Sequence, residues 1–146
     1  MVSGGSFVLG WAKPVPYNPV YLKDPKTGAG KIAGAGPLSN IIIAVVFGIM
    51  LRMLPMMNVP ADSLLYQFFA YIAYINVLLG IFNLVPLPPL DGSKVLFSIL
   101  PQSESSLQFG IFLERYGMVL FLIFVFFGFQ LIAPVVHWLF SVITGF

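Results

Sequence analysis

The stretch NLVPLPPLDGSKVL, Asn83 to Leu96, decides how this chain is read. It breaks a segment of membrane-crossing length with Pro86, Pro88 and Pro89, then places a carboxylate, Asp91, directly after them. A proline inside a helix removes a hydrogen-bond donor and clashes with the preceding turn, so a helix arriving at Pro86 must stop. An aspartate at the centre of a membrane helix costs about 2.5 to 3.5 kcal/mol on insertion scales, which makes Asp91 a functional-site candidate by default. Irregular backbone at membrane depth persists only where protein or a watery cavity covers it, so the stretch implies a polar pocket. Asn83, eight residues before the acid, offers an amide able to donate to a developing oxyanion or to hold an extended peptide. Gly92 lets another backbone or a metal come close. From spacing alone a plainer reading stands beside this one. Asp91 would be the N-cap of a short interfacial helix, and Asn83 a buried amide bonding a neighbouring helix.

Composition sets the wider frame. Of 146 residues, 59% are hydrophobic and 8% charged, with a mean hydropathy of +0.98. Seven basic and five acidic side chains cannot build a water-facing surface, so the chain is expected to be an integral membrane protein covered by the lipid bilayer. A net charge of +2 with scattered basic residues gives no support to a nucleic-acid partner. The absence of cysteine removes disulfides, thiolate metal sites and cysteine nucleophiles. The opening MVSGGSFVLG has no basic region ahead of an apolar core and does not read as a targeting segment.

The fold class expected is all-α integral membrane, with about three transmembrane helices, a Pro-broken second helix and an N-terminal extended or β-hairpin segment on the membrane surface. Residues 1–31 form that surface strand or loop, because Pro14, Pro16, Pro19 and Pro25 forbid a helix while Phe7, Leu9, Trp11, Val15, Tyr17 and Tyr21 fall on odd positions. The spans are expected at 33–54, 63–85 and 117–140, each free of formal charge over about 20 residues or more. Residues 86–91 are the Pro-rich loop, 92–100 a short amphipathic helix followed by a polar loop, and Pro134 is expected to kink or break the third span. Lys13, Lys23, Lys26, Lys31, Lys94 and Arg115 gather on one face against Arg52 alone on the other. The excess places the amino terminus and Asp91 on the cytoplasmic side of what is expected to be a bacterial cytoplasmic membrane.

NLVPLPPLDGSKVL resembles the N-x-x-P-x-x-x-L-D-G motif of the site-2 protease family of intramembrane zinc metalloproteases, in its short bacterial branch. GWAKPVPYNP (Gly10 to Pro19) and AGPLSN (Ala35 to Asn40) look like the same branch and follow in its order. The resemblance implies a metallopeptidase that takes a transmembrane protein or peptide as substrate. Asp91 would be the third ligand of Zn2+, and Asn83 a catalytic residue that binds substrate or stabilises the oxyanion. The region of Gly36, Pro37 and Asn40 would pack against the catalytic helix. An alternative is a non-catalytic, degenerate or truncated module that binds membrane helices without cutting them.

One part of the pattern is missing. The family needs H-E-x-x-H on a helix, where two histidines one turn apart bind zinc and the glutamate activates a water. The only histidine is His137, so the chain cannot form a two-His, one-Asp zinc site by itself. The resembling proteins carry that helix just before GWAKPVP, where this sequence starts. A truncated gene model, a fragment or a chain that lost the helix is expected, with the missing ligands on an upstream catalytic helix or a second chain. His137, on an apolar face beside Trp138, reads as a packing residue, and Glu104, Glu114 and Arg115 as solvated side chains near a membrane surface. The spacing of Gly30 and Gly34 is a weak G-x-x-x-G signal in a glycine-rich turn. A small ion or proton pathway built round Asp91 has no other acid or histidine nearby to support it.

Overall fold

A computed structural model describes residues 24–145. They form five helices: α1 Pro25–Met53, α2 Leu64–Asn83, α3 Asp91–Ile99, α4 Glu104–Ile123 and α5 Phe129–Thr144. No strand occurs among the described residues, and residues 1–23 of the surface strand or loop expected over 1–31 lie outside them. Three helical stretches, Lys26–Met57, Leu64–Asn83 and Glu104–Thr144, are long and apolar enough to cross a membrane.

Two boundaries differ from the sequence expectation, each for a local reason. Residues 25–31, expected in the surface segment, are the first turns of α1, because Asp24 caps the helix and Pro25 occupies its first turn. Proline suits that place, since its missing N–H would have had no partner there. The third long helix starts at Glu104, well before residue 117, with Ser103 as its cap: the Ser103 Oγ accepts from the Ser106 amide. Its irregularity is a π-helical turn over Phe124–Gly128, while Pro134 lies inside α5.

In lipid the tails are as apolar as the side chains, so helices associate by close packing rather than by escape from water. Small residues provide it here. Ala44, Val77 and Val136 are fully buried where α1, α2 and α5 meet. Gly80 of α2 lies against Ile41 and the Pro37 carbonyl of α1, and Gly48 of α1 against Ile143 of α5. The succession of contacts, with Phe47 and Phe69 rings 5.4 Å apart at the far end, makes α1 and α2 antiparallel. A short 3-10 turn, Leu54–Met57, joins them and ends at Asn58 with φ of 58°, a left-handed conformation that asparagine tolerates. Arg52 ties the far ends of α1 and α5 by donating to the Val142 carbonyl. Phe126, Phe127 and Leu131 stand 74–77% exposed on the outer side of the third long helix, as lipid-facing residues do.

Candidate metal centre

The site begins with how the chain turns after α2. The helix ends at Asn83, and residues 84–90 close into a compact loop through short-range backbone bonds: Leu84 N–H to Ile81 O, Val85 N–H to Phe82 O, Leu87 N–H to Val85 O and Leu90 N–H to Leu87 O. All three prolines fall within it, and the Pro88–Pro89 bond is cis. The loop returns to its own start. Gly92 sits so close to the carbonyls of Leu84 and Val85 that a Cβ there would overlap both. Asn83 and Asp91, each the residue just before one side of that contact, are brought to the two stems of the loop.

The short helix α3 then lies along the first half of α1 and runs the opposite way. Lys26 Nζ donates to Leu100 O, Gly30 meets the Ser98 side chain, Gly34 faces Val95, and the Cβ position of Gly36 is 3.6 Å from Asp91 Oδ2. The α1 stretch from Gly30 to Gly36 is therefore the bed on which α3 is laid. The G-x-x-x-G spacing, discounted as part of a glycine-rich turn, lies on a helix instead, and nothing in the sequence named the short α3 as its partner. Gly80 of α2 packs beside Pro37 and Ile41. Since α2 runs antiparallel to α1 and ends three residues later, Asn83 arrives at about the level of Gly36 as well. Gly36, Asn83 and Asp91 thus share one level, five residues beyond Lys31 in the charge-free run of α1.

Asp91 is the first residue of α3, and the N-cap position belongs to Leu90, which has no capping side-chain bond. Ser93 closes this turn by donation: its amide and its Oγ both donate to the Leu90 carbonyl, at 3.2 and 2.7 Å. Among the described residues the Asp91 carboxylate bonds to no backbone amide, and its one partner is Lys94, with Nζ 3.4 Å from Oδ1 and the side chains partly exposed at 61% for Lys94 and 37% for Asp91. Such a pair is worth little and is easily exchanged for another cation. The i, i+3 spacing of Asp91 and Lys94 was open to view in the sequence and went unread there. Asn83 is half-buried, and its side-chain amide bonds to no other group among the described residues.

The other candidates stand elsewhere. His137 is exposed on α5 with its ring 5.7 Å from that of Tyr74, more than two turns of α2 short of Asn83, so it does not approach Asp91. Glu104, Glu114 and Arg115 are exposed on α4, with Arg115 over the Tyr116 ring at 5.7 Å. Among the described residues no three His, Cys, Asp or Glu side chains gather closely enough to hold a metal ion. The donor set fits zinc in part only. Asp91 offers an oxygen donor with a weakly bound cation beside it, and the imidazole donors that zinc prefers are not supplied by these residues.

The helix α4 closes the site from the other side. Gly117 abuts Pro88, where a Cβ would stand 2.8 Å from the proline ring. The Phe82 ring lies 6.1 Å from Phe121 and 6.0 Å from Phe124.

Comparison with known proteins bears on this same region. Residues 56–125 match the model of Peptidase family M50. A Bacillus subtilis protein named "Putative zinc metalloprotease YwhC" is 33% identical over 119 residues, covering 79% of this chain and 53% of the relative. "Zinc metalloprotease MJ0392" of Methanocaldococcus jannaschii is 35% identical over 106 residues, covering 73% of this chain and 30% of that protein. "Putative zinc metalloprotease MJ0611" of the same organism is 46% identical over 67 residues, or 46% of this chain and 32% of the relative. The chain thus spans about half the length of the first of these curated relatives and about a third of the others. No solved structure matches. With the matched residues enclosing both Asn83 and Asp91, and with helices apolar enough to cross a bilayer, the chain is an integral membrane protein and a partial member of peptidase family M50, the site-2 protease family.

Proposed function

We propose that the chain is the carboxyl-terminal part of a site-2-protease-like zinc metallopeptidase that cuts a transmembrane segment of another protein inside the bilayer. One observation carries the reading: Asp91 begins α3 without capping it, and its carboxylate is held at the level of Gly36 and Asn83. At 1.5 Å per residue that level is about 6 to 8 Å inside the charge-free run of α1, at a depth where an uncommitted acid needs a use. Bound zinc would supply a Lewis acid for peptide hydrolysis.

The chain's own residues have separable parts in this. Asp91 presents one oxygen ligand. The Asn83 amide donates to the carbonyl oxygen of the scissile peptide, where negative charge develops. The closed loop 84–90 fixes both to one frame, and α4 shields that frame from lipid. The two imidazole ligands and the glutamate come from an H-E-x-x-H helix, on the remainder of a longer protein or on a second chain. The distribution of lysine and arginine supports a cytoplasmic position for the Asp91 end of the bundle.

The test supplies an H-E-x-x-H helix, fused or co-expressed, and measures cleavage of a model transmembrane substrate together with bound zinc. Asp91→Ala is expected to lower both by more than about 100-fold, since even residues that only support a zinc ligand are worth 10- to 100-fold. Cleavage that persists in Asp91→Ala sinks the proposal. Substrate binding without zinc or cleavage in the unmutated protein would establish the helix-binding module instead.

A further inference from the structure

A cavity lies well away from Asp91, at the other end of α3. It encloses about 820 Å³ between the start of α1, the α3–α4 connection and the first turns of α4. Phe97, Leu100, Leu107 and Ile111 form an apolar wall, and Lys26 of α1 and Glu114 of α4 line the same space. The two charges do not neutralise each other: among the described residues the one ion pair is that of Asp91 and Lys94. Lys26 spends one of its three ammonium protons on the Leu100 carbonyl, leaving two for another acceptor. The Glu114 carboxylate bonds to no group among the described residues.

Depth narrows what the cavity holds. Phe97 lies beside the α1 turn that ends at Lys31, at the border of the charge-free run, and Lys26 is about 9 Å beyond that run at 1.5 Å per residue. On α4, Glu114 is two residues before the charge-free run that starts at Tyr116. The cavity therefore begins at the hydrocarbon border and reaches outward through the zone, about 5 to 8 Å thick, where lipid headgroups lie. We propose that it is a binding site for an aminophospholipid headgroup. The phosphate lies on the Lys26 ammonium, the primary ammonium donates to the Glu114 carboxylate, and the glycerol end rests on the wall of Phe97, Leu107 and Ile111. A quaternary choline has no N–H to give Glu114, and a glycerol headgroup has no positive charge, so the site discriminates among lipids that share a phosphate.

The full chain is purified in mild detergent with equal amounts of phosphatidylethanolamine, phosphatidylcholine and phosphatidylglycerol of identical acyl chains, washed, and the retained lipids are quantified by intact-complex mass spectrometry. Phosphatidylethanolamine is expected to be retained about tenfold over the other two, the scale of one charge-assisted hydrogen bond. Glu114→Gln is expected to erase that preference and leave phosphatidylglycerol retention unchanged. Because Glu114 is exposed, the variant should keep the helix content of the parent by circular dichroism. Equal retention of the three lipids, or an undiminished preference in Glu114→Gln, overturns the proposal. Neither result depends on zinc or on cleavage.

Discussion

Two aspartates begin two helices in this molecule, and they are used in opposite ways. Asp24 is consumed by α1: its Oδ1 accepts from the Lys26 amide at 3.1 Å and its Oδ2 from the Thr27 hydroxyl at 2.7 Å. Asp91 stands one position later relative to its own helix, with Leu90 in the cap and Ser93 closing the turn. One carboxylate satisfies helix donors that would otherwise go unpaired. The other accepts from no helix amide among the described residues and meets only the Lys94 ammonium. A carboxylate at a helix start is thus a cap or is left clear of the helix amides according to a shift of one residue, and the closure of loop 84–90 accompanies that shift here.

The contrast can be broken most directly at Gly92. A methyl group there meets the Leu84 and Val85 carbonyls, which are backbone and cannot rotate away. Gly92→Ala is expected to cost about 3 kcal/mol, the upper end for overpacking a close contact, and to pull Asp91 from the level of Gly36. Denaturant titration of the reconstituted chain followed by circular dichroism measures it. Wild-type stability in that variant would mean that the loop does not set the position of Asp91.

A weaker effect is expected at Phe82, whose ring faces Phe121 and Phe124. Phe82→Leu should cost about 1 kcal/mol for the lost ring pairs. The expected change in hydrogen exchange is faster exchange in α4 with α3 unaltered, since α3 is laid on α1 and meets α4 through its own Phe97–Phe109 ring pair rather than through Phe82. Faster exchange in both helices would show that α4 helps to seat the Asp91 helix.

How far this contrast was legible in the sequence differs between its two halves. The apolar character, the helical class and the NLVPLPPLDG stretch as a candidate site were visible because each rests on residues adjacent in the chain. The cap at Asp24 was readable in principle, since aspartate followed by proline is a helix start. It was hidden by counting Pro25 with the prolines that forbid helix. The N-cap reading of Asp91 was equally available, and only the loop's return onto Gly92 decides against it. That return, like the bed of Gly30, Gly34 and Gly36 under α3, joins residues far apart in sequence, where periodicity says nothing. The start of α4 at Glu104 was missed for another reason. Ser103 is a sound cap, but the polar run around it resembled a loop when hydropathy alone was followed.

The finest test of the contrast is acid. The Thr27 hydroxyl and the Lys26 amide hold the Asp24 carboxyl below its ordinary value of 3.8. A carboxyl whose folded value is depressed adds stability that is complete above its unfolded value and is lost as pH falls through the folded one. The first turn of α1 should therefore loosen as pH drops below about 4. Asparagine caps as well as aspartate but does not titrate, so Asp24→Asn should keep the turn at neutral pH and abolish its acid dependence. Amide-exchange protection at Lys26 to Gly28, corrected for intrinsic rates, reads this directly. At α3 the corresponding change Asp91→Ala should leave protection of the first turn as it was, because among the described residues that carboxylate holds no backbone amide. A first turn in α3 that loses its protection in Asp91→Ala would make Asp91 a cap after all and remove the physical ground for reading it as a ligand.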